Sequence, residues 1–221
     1  MDRDDLPFEQ FDALSRFGGV RHAFTRRAAG VDLSHDKPTV LRRLDAVHRE
    51  IRHEIGVDRM PFITAEQVHG DCVAVVDEPN QDHCFADCDG LVTNRPNTCL
   101  GIYVADCCAV YLLDPVRNAI GLVHSGRKGT ERSIASIAVE TMSQQFGSNP
   151  AELVVQLSPC IRPPHYEVDF AAEIVAQCKR AGVRQISDSA KCTACDLRAY
   201  YSYRAEKGKT GRMLALLAIT K

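Results

Sequence analysis

The sequence has no tryptophan, and aromatic residues make up only 6% of its 221 positions. So sparse an aromatic content argues against a platform for stacking the bases of single-stranded nucleic acid. A dominant charge sign is also missing. The 27 Lys and Arg stand against 29 Asp and Glu, for a formal net charge of -2 and a pI near 6.4. A chain so balanced has no global attraction for nucleic acid or an anionic membrane, and neither is expected as a partner. No apolar run reaches the roughly 18 residues that a membrane-spanning helix needs. The opening stretch MDRDDLPFEQFDAL is acidic and carries no apolar segment of the secretory kind. A cytoplasmic location is therefore expected. Internal repeats, low-complexity tracts and linkers are absent as well.

What is present is ordinary for a folded domain, with 45% hydrophobic and 25% charged residues, and the length suffices to bury a sizeable core. The ten cysteines stand out. In a reducing compartment they read as buried apolar residues, metal ligands or nucleophiles rather than disulfides.

Periodicity predicts a helix from Pro38 to Ile55, with Leu41, Leu44, Val47, Ile51 and Ile55 on one face and Arg42, Arg43, Arg49 and Arg52 on a solvated one. Short β-rich runs follow at Phe62–Gln67, Cys72–Val76, Gly90–Thr93, Leu100–Val104, Val110–Leu113 and Ala119–His124. A second helix is expected over Thr130–Phe146, ended by Gly147 and Pro150, then a strand at Leu153–Leu157. A helix at Phe170–Ala181 and a strand at Met213–Ile219 complete the pattern. The expectation is an α/β fold: one layered domain over residues 1–221, built on a mixed sheet with helices on its faces. Residues 1–19 are expected to lie at its periphery.

Three segments each deliver a potential ligand at or near a strand end: QVHG with His69, VADC with Cys107, and VHSG with His124. A lone histidine or cysteine in such a place is more often structural than chemical. Taken together, two imidazoles and a thiolate are donors that zinc prefers, and three protein ligands leave a fourth position open. Spacing alone does not say that they meet.

Further motifs surround these three. They are DGLVT at Asp89–Thr93, VHSGRKGT at Val123–Thr130, SPCI at Ser158–Ile161, YEV at Tyr166–Val168, and CT at Cys192–Thr193. SYR at Ser202–Arg204 and TGR at Thr210–Arg212 follow. In this order they resemble the YfiH family of laccase-domain proteins over roughly residues 20 to 219. The resemblance implies a single zinc ion on His69, Cys107 and His124, with copper the less favoured metal. Cys108 takes a position usually held by Leu and is expected in the core, since neighbours on a strand point to opposite faces. The chain departs from the family in two places: the stretch from Tyr166 to Thr193 is short, and an early Asn-Leu segment has no match near Asp32-Leu33-Ser34.

Around the metal, Ser125, Arg127 and Lys128 lead into the second predicted helix, where cations are out of place unless an anion binds. Arg26, Arg204 and Arg212 sit in further family segments and have the forked geometry that grips phosphate. Asp106, beside Cys107, reads equally as an acid–base group or a turn residue. Cys84, Cys88, Cys192 and Cys195 have ligand-like spacing for a second, structural zinc site.

The activity implied by the resemblance is purine nucleoside chemistry. It comprises phosphorolysis of adenosine, inosine, guanosine and methylthioadenosine, and deamination of adenosine, with nucleosides and phosphate as the partners. Alternatives are an amidase editing peptidoglycan precursors, a copper-dependent polyphenol oxidase, a Cys107–His124 nucleophile–base pair as in cysteine hydrolases and deamidases, and a non-catalytic metal-binding module.

Overall fold

A strand such as MLALLAI is apolar at every position and needs cover on both faces. The computed structural model, which describes residues 7–33 and 35–220, meets that need with four layers, helix–sheet–sheet–helix.

One sheet comprises β1 (Phe8–Glu9), β2 (Val20–Thr25), β3 (Phe62–Ala65), β5 (His83–Phe85), β7 (Thr98–Val104) and β12 (Met213–Ile219), in the order β1-β2-β12-β7-β3-β5. The other comprises β4 (Val73–Val75), β6 (Gly90–Thr93), β8 (Cys108–Asp114), β9 (Ala119–Ser125), β10 (Val154–Leu157) and β11 (Gln185–Asp188), in the order β11-β10-β8-β9-β6-β4. Both are mixed: β3 runs parallel to β5 and β7, and β4–β6 and β10–β11 are parallel pairs. The expectation of one mixed sheet is thus corrected to two. Apolar runs announce burial on both faces but do not say which covering face is a helix and which is another sheet.

The layers follow the two-residue period of the strands. Ala215, Leu217 and Ile219 of β12 face Tyr111 and Leu113 of β8 and Leu122 of β9 between the sheets. Leu214, Leu216 and Ala218 face outward beneath Ile51 of α2 (Lys37–Glu54). Val110 and Leu112 of β8 meet α4 (Ile134–Phe146) and α5 (Phe170–Arg180) on the far side. Helix α2 starts one residue before the expected Pro38, where the Asp36 carboxylate accepts the Thr39 N–H at 2.9 Å. Its buried face uses His48 beside Leu44 and Ile51.

The expected helix Thr130–Phe146 is two helices. α3 (Arg127–Glu131) begins earlier, and Ser133, with φ of 62°, breaks the chain before α4. No proline or glycine marks that break, so periodicity reads through it. Of segment 1–19, the described residues 7–19 carry Phe8, Phe11 and Leu14 into buried positions through β1 and α1 (Asp12–Ser15). Ser34, in the segment without a family match, lies outside the described residues. Among the described residues no helix is long and apolar enough to cross a membrane.

Candidate metal centre

The centre forms where the chain passes from one sheet to the other. Cys107 lies in the turn between β7 and β8, His124 near the end of β9, and His69 in the loop after β3. One donor atom from each lies within 4.8 Å of the other two, and this is the one such group of His, Cys, Asp or Glu among the described residues. Cys108, the first residue of β8, points away into the core on the helix-covered side, as expected.

Asp89 organises the donors. Its carboxylate accepts N–H bonds from Val68 at 3.1 Å, His69 at 2.9 Å and Gly70 at 2.7 Å, so it folds the His69 loop around itself. Its Oδ1 also lies 2.7 Å from His124 Nδ1. With Nδ1 donating to the carboxylate, Nε2 of His124 is free to act as a ligand. Burial pushes the Asp89 carboxyl up, but the His124 and Gly70 hydrogen bonds and the His124 charge outweigh it and hold it below the usual carboxylate range. Gln67 and His69 both adopt left-handed backbone, φ 65° and 63°. The Gln67 amide fixes that bend by donating to the Tyr103 carbonyl at 2.5 Å and accepting its N–H at 2.9 Å.

Burial raises the Cys107 thiol, yet the His124 charge and hydrogen bonds from His124 and His69 bring it down to about 6. Burial lowers His124, and the Cys107 charge with the Asp89 hydrogen bond raises it to about 9. Cys107 and His124 are therefore a thiolate–imidazolium pair whose proton a metal ion would displace. Gly126 leaves room for the sulfur: a Cβ there would sit 2.5 Å from Cys107 Sγ. A poised thiolate, an Nε2 whose proton a metal ion can displace and space beside them fit a divalent metal ion.

The trio lines a cavity of about 550 Å³ shared with Lys37, Lys128, Arg212 and the rings of Tyr103, Tyr166, Phe170 and Tyr203. Arg127 and Arg204 also line it, but Arg127 pairs with Glu131 at 2.9 Å and both reach Glu167 at 3.4 Å. Ser125 does not reach the wall; it is buried and bonds Thr130 Oγ1 at 2.9 Å. Arg26 is likewise outside the lining, its N–H donating to the Pro7 carbonyl at 2.8 Å. Ser125, Arg127 and Lys128 do not lead into one long helix as expected: they run into α3, which has only five residues and is separate from α4. Asp106 borders the cavity, but its carboxylate is engaged by Thr193 Oγ1 and the Arg204 N–H, each at 2.7 Å. It holds two loops against the Cys107 turn.

Cys88 does not join Cys84, Cys192 and Cys195 in a second metal group. It forms a disulfide with Cys72, their Cα atoms 4.6 Å apart where β4 and β6 run side by side. This also departs from the expectation of ten cysteines without disulfides.

A family profile described as multi-copper polyphenol oxidoreductase laccase matches residues 13–178 and 168–220. The chain belongs to this family. A relative from Streptomyces coelicolor, named a purine nucleoside phosphorylase, is 29% identical over 96% of both chains. Another of that name, from Deinococcus radiodurans, is 30% identical over 91% of this chain and 90% of its own. The fold matches YlmD of Geobacillus stearothermophilus with a TM-score of 0.84 at 22% identity, covering 97% of this chain and 99% of that one. YfiH of Bacillus licheniformis gives 0.82 at 24% identity, over 99% and 98%. Within this laccase-family site, Asp89, Lys37 and the aromatic wall are what sequence reasoning missed. Asp89 carried one signal, its place at the head of the DGLVT motif; Lys37 carried none.

Proposed function

We propose that this protein is a zinc-dependent purine nucleoside phosphorylase. The observation that carries the reading is the single cavity that sets the His69, Cys107 and His124 donors among unpaired cations and aromatic rings. One thiolate and two imidazoles suit an open zinc site, whereas a multicopper oxidase needs further histidine clusters. The purine nucleoside phosphorylase names of the relatives supply the substrate class.

When bound, the ion supplies Lewis-acid chemistry, polarising an oxygen of substrate or water. The chain's own residues do the rest. Asp89 keeps His124 in one tautomer and orientation, and Gln67 holds the backbone bend that presents His69. Tyr166 and Phe170, in edge contact with ring centroids 5.8 Å apart, offer apolar surface to a purine. The cations hold phosphate and stabilise its charge. A phosphate oxygen then bonds the anomeric carbon as the bond from that carbon to the purine nitrogen breaks. The electron pair leaves with the base, which takes up a proton, and ribose 1-phosphate remains. The same pocket would serve adenosine deamination, in which water adds at the purine carbon bearing the amine and ammonia leaves, giving inosine.

The purified, zinc-loaded protein is to be incubated with phosphate and adenosine, inosine, guanosine or methylthioadenosine. Free base and the sugar 1-phosphate are expected, with inosine reporting deamination. Stoichiometric zinc with no turnover of any of the four would remove this reading. A second reading has one observation behind it: Cys107, His124 and Asp89 form a nucleophile–base–acid relay. It predicts activity that survives chelation and is abolished by alkylating Cys107, whereas the metal reading predicts loss on chelation and recovery with zinc.

A further inference from the structure

Lys37 occupies the first turn of α2, where the partial positive charge of the helix disfavours a cation. Its place is explained by the cavity it lines together with Arg212, Lys128, His69 and Cys107. The other cations of that wall are already satisfied: Arg127 by Glu131 and Glu167, Arg204 by Glu167. Lys37, Lys128 and Arg212 have no carboxylate in salt-bridge range among the described residues. Arg212 donates to the Thr210 and Gly211 carbonyls, at 3.3 and 2.8 Å, which carry no compensating charge. Its guanidinium also stands 5.8 Å from the Tyr203 ring centroid, which fixes its direction. Burial and the nearby Arg212 charge hold the Lys37 ammonium below its ordinary range. Two converging cations without a counter-charge repel each other, and an anion between them reverses the sign of that interaction.

We propose that Lys37 and Arg212 form the seat of a tetrahedral oxyanion, with Lys128 as the third cation. Only the identity of the anion as phosphate rests on the phosphorylase reading. The seat divides the cavity by chemistry, with the oxyanion on the α2 side and the apolar Tyr166–Phe170 wall left for the base. It also separates residues that sequence reasoning grouped: Arg212 binds, while Arg127 and Arg204 spend their charge on Glu167.

The test measures inorganic phosphate binding to the full-length, zinc-loaded protein by calorimetry at constant ionic strength. Wild type is compared with Lys37→Gln, Lys37→Arg and, as a surface control outside the cavity, Lys209→Gln. Lys37→Gln is expected to weaken binding roughly 10- to 100-fold, the size of one charge-assisted hydrogen bond. It should keep the wild-type zinc content and melting temperature. Lys37→Arg retains most of the affinity, and Lys209→Gln all of it. Unchanged binding in Lys37→Gln, or no phosphate binding by wild type, overturns the proposal. Phosphate binding that depends on Lys37 in a protein that turns over no nucleoside leaves the seat standing and removes the phosphorylase reading instead.

Discussion

Asp89 and His124 are joined twice: the side chains meet at 2.7 Å, and the His124 N–H donates to the Asp89 carbonyl, also at 2.7 Å. The same carboxylate gathers three N–H groups of the His69 loop, so one buried acid sets the positions of two of the three donors. Asp89→Asn leaves a single acceptor oxygen and turns an N–H toward those donors. Metal affinity should fall roughly 10- to 100-fold, read by competition against a chromogenic chelator. The metal-free fold should lose about 2–4 kcal/mol, as buried charged hydrogen bonds are broken. Wild-type affinity in this variant would show that the carboxylate does not orient the donors.

Gly126 is required by sulfur rather than by backbone conformation, since its φ of -95° is open to any residue. In Gly126→Ala the new Cβ meets Cys107 Sγ at 2.5 Å. Either the thiol or the α3 start must move, at a cost of about 1–3 kcal/mol. Zinc content by elemental analysis should drop well below one ion per chain. Gly18→Ala, with no atom within 4 Å of the added carbon, should bind zinc normally.

Two buried histidines outside the donor trio set the acid limit of the fold. Burial drives His22 down to about 4, and its Nε2 accepts the Phe11 N–H at 2.7 Å, a bond open only to the unprotonated nitrogen. Burial also lowers His48 to about 4, with Arg52 adding to the effect and Asp45 opposing it. Both rings are neutral in the folded state, whereas the unfolded chain protonates them near pH 6.5. Stability is therefore complete above about pH 6.5 and falls as the pH drops toward about 4, by roughly 3 kcal/mol for each ring. Denaturant titrations across that window read the slope. His48→Gln should flatten it by about one proton; an unchanged slope would mean that His48 does not titrate as described.

Much of this arrangement was legible because it is local. Gly90–Thr93 and Met213–Ile219 are strands with the expected limits, and Phe170–Arg180 ends one residue before the expected Ala181. Each has a pattern and stop signals within its own sequence. Ser133 gave no such signal for the break before α4: its backbone is left-handed, a conformation a serine does not announce, and its side chain makes no capping hydrogen bond. That His69, Cys107 and His124 come together was legible through the order of their motifs. Asp89 stood in the DGLVT motif without a role, because the N–H groups of Val68, His69 and Gly70 and the His124 ring reach it only in the fold. Lys37 escaped for the opposite reason: on a helix rich in arginines, one more cation reads as solvated surface.

The Cys107 thiolate gives a direct view of metal occupancy. With its thiol lowered to about 6 by His124 and His69, Cys107 is largely ionised at neutral pH in metal-free protein. Cys195 is exposed, but a hydrogen bond with Cys192 raises its thiol. Iodoacetamide should therefore label Cys107 before Cys195 in metal-free protein, at a rate that rises with pH through about 6 and then levels off. Loading zinc ties up the sulfur, so the order should reverse, with peptide mass spectrometry locating the label. Equal labelling of Cys107 with and without zinc would mean that the sulfur is not a ligand, and the nucleophile reading would then take precedence over the metal one.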